Sequence, residues 1–218
     1  MNILIVAATV AEIAPLNAYF QSAKLPGTLT GGVLITGVGM MSSTYELTRH
    51  LESNVYDLVL QVGVAGSYVN TLKTGEVVFV TSDQYGDLGA EDHDKYLDIF
   101  EMGFVNPNVP PFIAGKLLTP LLPVHNKIKL PQVSGLTVNT VTGSERTVAM
   151  RKEKFHCDLE SMEGAALHYV CLREKVPFAQ VRAISNYVTP RDRSQWQMKD
   201  AIINLNKWLI EFINLLAY

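Results

Sequence analysis

The stretch ESMEGAALHYVCLREKVPFAQVRAIS, residues 160–185, joins a helical pattern directly to an apolar, β-rich segment. The first half repeats small and apolar residues at helical spacing. These residues are Met162, Ala165, Ala166, Tyr169 and Val170. Residues 178–185 form an apolar run without alternation, which is typical of a strand covered on both faces. A helix that leads straight into a buried strand predicts an α/β fold.

The rest of the chain extends this pattern. Further β-branched runs occupy residues 3–8, 33–36, 57–62, 77–81 and 136–141, and helical patterns occupy residues 42–52 and 200–216. We therefore predict a three-layer α/β/α fold with a central mixed sheet, built as one domain over residues 1–218. Residues 104–131 contain six prolines and are predicted to be loop-rich, as a lid, an interface arm or a long connection.

Composition excludes several classes of function. A net charge of -3 without a polybasic segment argues against nucleic acid or an anionic membrane as a partner. Cys157 and Cys171 make neither a disulfide framework nor a CxxC pair, which indicates a reducing compartment, and we expect a cytoplasmic protein. With His156 and His168 they lack zinc-ligand spacing. We expect core cysteines, surface histidines and no metal.

Two glycine-containing segments, ITGVGMMSS and QVGVAGSY, follow predicted strands. Neither completes a dinucleotide-binding fingerprint, and no phosphate-binding P-loop occurs. Gly37, Gly39, Gly63 and Gly66 fit tight turns that need positive φ. They also fit a close backbone approach to a ligand at the carboxyl ends of the strands.

Glu12 and Glu163 are candidate functional carboxylates. Glu12 follows the first strand, where it either completes a capping box with Thr9 or acts as a general base. Glu163 is predicted in the first turn of a helix that Ser161 caps, where it either complements the helix dipole or serves a ligand. Its neighbours are small or apolar, so a partly buried acid there needs hydrogen-bond donors, such as two vicinal hydroxyls of a ligand.

Three segments together resemble the nucleoside phosphorylase / 5'-methylthioadenosine nucleosidase superfamily. They are AATVAEIAPL, GVAGSYVNTLKTGEVVFV and the 160–185 stretch, and their order holds along essentially the whole chain. The resemblance implies a nucleoside phosphorylase-like fold and cleavage of a purine N-glycosidic bond. The tail SNYVTPRDRSQW, residues 185–196, is most similar to futalosine hydrolases of menaquinone biosynthesis, which release hypoxanthine from futalosine.

The resemblance also implies roles for individual residues. Glu12 aligns with the carboxylate that activates water, and Glu163 aligns with the acid that accepts hydrogen bonds from the ribose hydroxyls. The residues expected to contact the nucleoside are Gly63, Val64, Ala65, Gly66, Thr142, Gly143, Met162 and Ser185. Phosphorylases of this superfamily carry Gly and Arg in the loop after strand 1, whereas ATVAEIAPL has neither. Hydrolysis without a cofactor is therefore expected.

Asn186 stands where adenosine-type relatives have Asp. An amide donates N–H to a 6-oxo group and accepts from a protonated N7, which matches hypoxanthine. Its alternative role is that of a turn residue that ends the strand. Arg191 or Arg193 could pair with a carboxylate on the 5' extension of futalosine, with Trp196 or Tyr187 packed on the ring. Alternatively, the charges of residues 191–193 pair among themselves.

Other functions remain open at this point. The chain could act on inosine, methylthioadenosine or S-adenosylhomocysteine, or bind a nucleoside without cleaving it. Relatives are oligomers in which a neighbouring subunit often closes the site, so we expect a homo-oligomer with a small-molecule purine nucleoside as ligand. By analogy, residues 104–131 are a plausible contributor to that contact.

Overall fold

The computed structural model describes residues 1–22 and 30–216. The strands of this part are β1 Asn2–Ala7, β2 Thr30–Ile35, β3 Leu58–Ser67, β4 Val77–Asp83, β5 Gly89–Asp92, β6 Lys95–Asp98, β7 Leu117–Leu118, β8 Gln132–Thr137, β9 Leu159–Ser161 and β10 Phe178–Tyr187. The helices are α1 Ala14–Ser22, α2 Met40–Glu52, α3 Glu145–Phe155, α4 Gly164–Glu174 and α5 Met198–Leu216. Short 3-10 turns occupy Val10–Ile13, Pro123–Lys127 and Arg193–Gln195.

The central sheet is mixed, as predicted, and part of it closes on itself. Strand β10 pairs with β3 in parallel and with β4 in the antiparallel direction. Strands β8 and β9 complete the circuit from β4 back to β3, and β1 and β2 extend outward from β3. The ring β3–β10–β4–β8–β9 therefore gathers the carboxyl ends of β3 and β10 with the short strand β9 into one region.

Helices cover both faces of the sheet, which confirms the three-layer architecture. On one face, Leu205, Leu209 and Phe212 of α5 pack with residues of α1, β1, β3 and β10 in the largest apolar cluster. On the other face, Leu47 of α2 and Leu167 of α4 pack against β1, β3 and β10. The continuous apolar strands of the sequence are thus buried from two sides.

All six predicted strands and the three predicted helices form, with shifted ends. Strand β8 begins and ends about four residues earlier than predicted, and its last bond to β9 runs from the Val138 N–H to the Ser161 carbonyl. Residues 104–131 are mostly loop, as predicted, and contain only β7 and a 3-10 turn. Phe112 and Leu117 of this segment pack against Ala165 of α4, so it is anchored to the core.

The glycine turns divide into two kinds. Gly37 and Gly39 have φ of 79° and 94° and form the turn before α2, as a positive-φ interpretation requires. Gly63 and Gly66 lie inside β3, which runs five residues beyond its predicted end, so the turn interpretation is wrong for them. A Cβ at Gly66 would lie 2.9 Å from Val188 and 3.2 Å from the Asn186 amide. Close packing, rather than an unusual φ, selects these glycines.

Candidate active site

A cavity of about 280 Å³ opens at the carboxyl ends of β1, β3 and β10. Ten of the twelve residues singled out from the sequence line it. They are Glu12, Val64, Ala65, Gly66, Thr142, Met162, Glu163, Ser185, Asn186 and Arg191. The other two, Gly63, which is buried, and Gly143, which is exposed, do not line it. Residues far apart in the chain therefore meet at the sheet edge where open α/β proteins bind ligands.

Glu12 both caps a turn and faces the cavity. It lies in the 3-10 turn Val10–Ile13, where its Oε2 accepts from the Thr9 backbone N–H and the Thr9 hydroxyl, both at 3.0 Å. Its Oε1 accepts from the Val64 backbone N–H at 3.1 Å. The capping interaction thus fixes the carboxylate at the cavity wall and does not exclude a role for Glu12 as a general base.

Gly63 allows two charged groups to approach each other behind the cavity. A Cβ at this position would collide with Nη1 of Arg182 and lie 2.8 Å from Oε1 of Glu12. Because β3 carries no side chain here, the Arg182 guanidinium fits between the Glu12 and Glu163 regions of the site.

Glu163 lies at the N-cap position of α4, one residue before the helix, and not in its first turn. Its side chain does not cap that helix. Its Oε1 instead accepts from the Gly39 backbone N–H at 3.1 Å, and its Oε2 is 3.4 Å from Nη1 of Arg182. The donors that this buried acid needs are thus supplied by the protein. A carboxylate has about four acceptor positions, so each oxygen can still accept one more hydrogen bond.

Sequence reasoning missed the buried chain of polar side chains that holds Glu163. Arg182 is 1% exposed, and its Nη2 donates to Oε1 of Gln61 at 2.8 Å. When the Gln180 amide is oriented with its oxygen toward Arg182, as its neighbours require, Nε of Arg182 donates to that oxygen at 3.2 Å and the amide nitrogen donates to Nε2 of His168 at 2.8 Å. The His168 ring then donates through Nδ1 to the Leu117 carbonyl at 2.9 Å.

His168 was expected at the surface and is fully buried, which corrects that prediction. Burial lowers the pKa of its imidazole to about 4, because a charged ring would lose its hydration. A neutral ring with its proton on Nδ1 can accept from Gln180, and this fixes the direction of hydrogen bonding along the chain to Arg182. In the sequence, the only sign of this series of hydrogen-bonded side chains is the presence of polar residues inside an otherwise apolar strand.

A second buried acid, Asp83, fixes the start of α4. Its Oδ1 accepts from the Thr137 hydroxyl at 2.8 Å, and Oγ1 of Thr137 accepts from the Ala165 N–H at 2.7 Å. Burial raises the pKa of Asp83 to about 6. A Cβ at Gly164 would collide with Asp83 and with Gln180. The glycine after Glu163 is therefore required by this contact, and it holds Glu163 in place.

Asn186 is half-buried at the end of β10, and its amide is oriented by its neighbours. The Ser185 hydroxyl donates to Oδ1 of Asn186 at 2.7 Å, and Nδ2 of Asn186 donates to the Tyr187 carbonyl at 3.0 Å. One N–H and one lone pair of the amide are left for a ligand.

The charged loop after β10 is held by hydrogen bonds and stacking. The Arg191 N–H donates to the Gly143 carbonyl at 3.2 Å, and the Arg191 guanidinium lies 5.5 Å from the centre of the Trp196 ring. Asp192 accepts from the Ser194 N–H at 3.0 Å and caps the turn Arg193–Gln195. Arg191 and Trp196 both line the cavity, whereas Arg193 does not.

A buried cluster that the sequence did not indicate surrounds Glu160. Its carboxylate accepts from the Thr142 N–H at 2.8 Å and pairs with Nη1 of Arg151 at 3.0 Å. The hydroxyls of Tyr68 and Thr142 also donate to it. Thr142 is therefore held in the wall of the cavity by an ion pair behind it.

The charge of the cavity is mainly negative. Among the described residues that line it, Glu12, Glu160, Glu163 and Asp192 are acidic, and Arg191 is the sole Lys or Arg. Within residues 1–22 and 30–216, no cluster of three or more His, Cys, Asp or Glu side chains could hold a metal ion. In the same ranges, no helix is long and apolar enough to cross a membrane.

An acid-lined cavity at the carboxyl edge of a mixed sheet defines an α/β protein that binds small molecules. The family follows from comparison with known proteins. Residues 8–217 match the family described as the Phosphorylase superfamily, and the chain belongs to this superfamily. The resemblance found in the sequence is confirmed at this level.

Individual relatives are similar to the chain in sequence or in fold. Futalosine hydrolase of Streptomyces coelicolor is 31% identical over 160 residues, which span 71% of this chain and 64% of that protein, just under two thirds of its length. A 5'-methylthioadenosine/S-adenosylhomocysteine nucleosidase of Colwellia psychrerythraea, in complex with adenine, superposes with a TM-score of 0.81 at 20% identity, over 98% of this chain and 94% of that one. Futalosine hydrolase of Helicobacter pylori superposes with a TM-score of 0.80 at 20% identity, over 99% and 98%. These superpositions confirm the predicted fold class.

Proposed function

We propose that the chain is a purine nucleoside N-glycosidase that hydrolyses futalosine to hypoxanthine and dehypoxanthine futalosine, a step of menaquinone biosynthesis. The observation that carries the proposal is that Glu12, Glu163 and Asn186 line one cavity. They supply the three things that such a reaction needs: a group that activates water, a group that holds the ribose, and a group that binds the departing base.

In the proposed reaction, Glu12 takes a proton from water as the water oxygen bonds to C1' and the bond from C1' to N9 breaks. A positioned general base contributes about 10² to 10⁴ in rate. Glu163 accepts hydrogen bonds from the ribose hydroxyls through its two unused acceptor positions, and its charge favours the cationic sugar of the transition state. Met162 lies beside it in the cavity wall and packs on the sugar.

Water is favoured over phosphate as the attacking group. The loop after β1 contributes Ala8, Thr9, Ala11 and Glu12 to the cavity and no cation. The nearby guanidinium of Arg182 is fully buried and already bonded to Glu163 and Gln61. A carboxylate at this end would repel a phosphate anion, whereas it suits the activation of a neutral water.

The amide of Asn186 favours a 6-oxopurine. Its free N–H donates to O6, and its free lone pair accepts from a protonated N7. The departing base carries the electron pair of the broken bond and takes its proton from solvent, since an amide does not donate one at neutral pH. The 5' extension of futalosine ends in an aryl carboxylate, which Arg191 binds beside the Trp196 ring.

A nucleosidase for methylthioadenosine or S-adenosylhomocysteine is the second candidate. The fold of such an enzyme, with adenine bound, superposes on this chain as closely as that of a futalosine hydrolase does. Asn186 weighs against it, since adenine offers no 6-oxo group. A silent nucleoside-binding protein would not need both Glu12 and Glu163 in the cavity.

The test is to incubate the protein with futalosine, inosine and methylthioadenosine, with and without phosphate, and to identify the released base and sugar. Hypoxanthine release from futalosine that is independent of phosphate is expected. Faster release of adenine would favour the second candidate, and strict dependence on phosphate would contradict hydrolysis. If no base is released from any of the three, the chain is not a nucleosidase of this kind.

The chain is also proposed to pair with a second copy of itself beside the cavity. Met41 and Tyr45 of α2 are 85% and 56% exposed, and Val38, which lines the cavity mouth, is 55% exposed. This apolar strip continues from the cavity onto α2, so a partner that covers it would also close the site. Met41→Glu with Tyr45→Glu should yield monomers in analytical ultracentrifugation, whereas Val55→Glu, at an 87% exposed position, should not. A wild-type monomer would contradict the pairing.

A further inference from the structure

The side-chain amide of Gln180 lies behind the cavity, where three titratable or charged side chains meet. It belongs to β10 and is fully buried. Its oxygen accepts from Nε of Arg182 at 3.2 Å in the orientation described above. Its nitrogen then donates to Nε2 of His168 at 2.8 Å and to Oδ2 of Asp83 at 3.2 Å. The amide therefore joins a buried acid to the cation that orients Glu163.

This amide has one favourable orientation while Asp83 is ionised. In the reverse orientation its NH₂ group would face the Nε–H of Arg182, and its oxygen would face the lone pair on Nε2 of His168. Neither contact has a proton in the right place for a hydrogen bond. The carboxylate of Asp83 and the neutral imidazole of His168 are both acceptors, so they hold the NH₂ group on their side.

Protonation of Asp83 removes this preference. Its Oδ1 already accepts from the Thr137 hydroxyl and from the Gln84 N–H, both at 2.8 Å. A proton on the acid therefore goes to Oδ2, where it faces the NH₂ group of Gln180. Two donors then meet, and the contact is relieved when the amide turns over and offers its oxygen to the acid. The turned amide places its NH₂ group against Arg182, which loses an acceptor.

We propose that Asp83 and Gln180 are positioning residues that make the orientation of Glu163 depend on protonation. With Asp83 ionised, Gln180 supports Arg182, and Arg182 holds Glu163 through the ion pair at 3.4 Å. With Asp83 protonated, the amide turns, Arg182 moves from its place and the Glu163 carboxylate loses its fixed direction. The inference rests on the proposed function, because it concerns the acid that is proposed to hold the ribose.

Asp83 titrates in a pH range where the groups that face it keep one state. Burial raises the pKa of Asp83 to about 6. Burial lowers the pKa of the His168 imidazole on α4 to about 4, and it raises the pKa of the Cys157 thiol before β9 to about 12. It also raises the pKa of the Tyr85 hydroxyl after β4. The cation that faces the acid is Arg182 on β10. Between roughly pH 5 and 7, the proton on Asp83 is therefore the one that changes among these groups.

The test follows the Nε–H signal of Arg182 by NMR between roughly pH 5 and 8, so that no turnover is needed. The signal is identified by its absence in Arg182→Met. In the wild type it should shift with a midpoint near pH 6. In Asp83→Asn it should not respond in this range, because an amide there does not gain a proton. Asp158→Asn, which alters an acid that accepts from the Ser134 N–H outside this network, is the matched control and should keep the wild-type response.

Turnover gives a second measurement. In Asp83→Asn the side-chain oxygen stays toward Thr137 and the NH₂ group faces Gln180 at every pH, which imitates the protonated acid. The variant should lose kcat roughly 10-fold or more, the range of one hydrogen bond to a charged group. The kcat of the wild type should fall below about pH 6. This fall should be absent from the pH profile of the variant.

An Arg182 signal that stays constant in the wild type would overturn the inference, and so would an equal shift in folded Asp83→Asn. If that variant does not fold, Gln180→Met serves in its place, because it removes the amide between the acid and the guanidinium. A wild-type response in Gln180→Met would also overturn the inference. A wild-type response that is lost in the variants, in a protein that cleaves no nucleoside, would support the coupling and count against the proposed function alone.

Discussion

Nη1 of Arg182 lies 3.4 Å from Oε2 of Glu163, and the two side chains are 1% and 7% exposed. This ion pair forms behind the cavity, so it orients Glu163 and leaves the cavity side of the carboxylate open. The pair is held by Gln61 and Gln180, which accept from two further N–H groups of the guanidinium. The proposed ribose contact therefore depends on Arg182, a residue that does not line the cavity.

Arg182→Met should leave Glu163 as a buried carboxylate without its cation. Breaking a buried pair in this way costs about 3–5 kcal/mol of unfolding free energy. Urea denaturation measures the loss. The double variant Arg182→Met with Glu163→Gln should be less destabilised than the sum of the single variants, because the carboxylate charge is removed. Simple additivity would show that the two side chains are not coupled.

Glu12→Gln should retain the fold and lose activity by about 10² to 10⁴, the contribution of a positioned general base. The amide oxygen can still accept from Thr9 or Val64, so the melting temperature should change little. Glu211→Gln, on the exposed face of α5, is the matched control. If Glu12→Gln retained turnover close to that of the wild type, Glu12 would be a capping residue only and not a general base.

Gly63→Ala should impair activity far more than Gly143→Ala. At Gly63 the added methyl would collide with the Arg182 guanidinium and approach Glu12, whereas at Gly143 the nearest other atom is 3.6 Å away. The expected result is a fall in kcat for the first variant and near-normal kinetics for the second. Equal kinetics in both would mean that the cavity wall tolerates displacement of Arg182.

Asn186→Asp should shift the preference toward 6-aminopurines. An aspartic acid can donate to N7 and, once ionised, accept from the 6-amino group, whereas the amide suits a 6-oxo group. The ratio of kcat/KM for methylthioadenosine and inosine measures the shift. Asn70→Asp makes the same charge change at an exposed turn outside the cavity and should leave the ratio as it is. The absence of a shift in Asn186→Asp would remove the basis for a 6-oxo preference.

His168→Gln should change how stability depends on pH. The pKa of His168 is about 4 in the folded chain and 6.5 ordinarily, so the unfolded chain binds more protons between these values. The free energy of unfolding that the neutral His168 ring contributes is complete above pH 6.5 and is lost as pH falls toward 4. The stability difference between wild type and variant should therefore grow as pH rises from 4 to 6.5, on the order of 3 kcal/mol. Urea unfolding at several pH values tests this, and a constant difference would contradict it.

Sequence patterns predicted most of the elements that bury continuous apolar surface, although they missed α1, and they also missed elements that bury little. Helix α3 has the sequence ERTVAMRKEKF, which lacks an apolar stripe, although Ser144 caps it by accepting from Thr147. Strand β9 is three residues long, too short for any periodicity to show. The position of β9 is decided by its pairing with β3 and β8, which no local pattern encodes.

The residues of the cavity and those behind it also divide into ones that the sequence indicates and ones that it does not. Glu12, Glu163 and Asn186 stand beside strand or helix ends, where a polar residue is conspicuous in the sequence. Arg182 and Gln61 are inside buried strands and are 121 residues apart. Taken alone, each of these polar residues is unexpected in its apolar strand. The hydrogen bond between them accounts for the presence of both.

The closed ring of strands has a consequence for how the chain is made. Strand β10 seals the circuit by joining β3 to β4, and it is synthesised after every other described strand. Until β10 has been synthesised, β3 and β4 lack the strand that pairs with both of them, and Arg182 and Asn186, which belong to β10, are not yet part of the chain. Pairings of this sequence separation are intrinsically slow to form. A chain that stopped before residue 178 would leave the edges of β3 and β4 that face β10 unpaired, which favours aggregation, so the cavity and a sheet with these edges paired arise together when β10 is made.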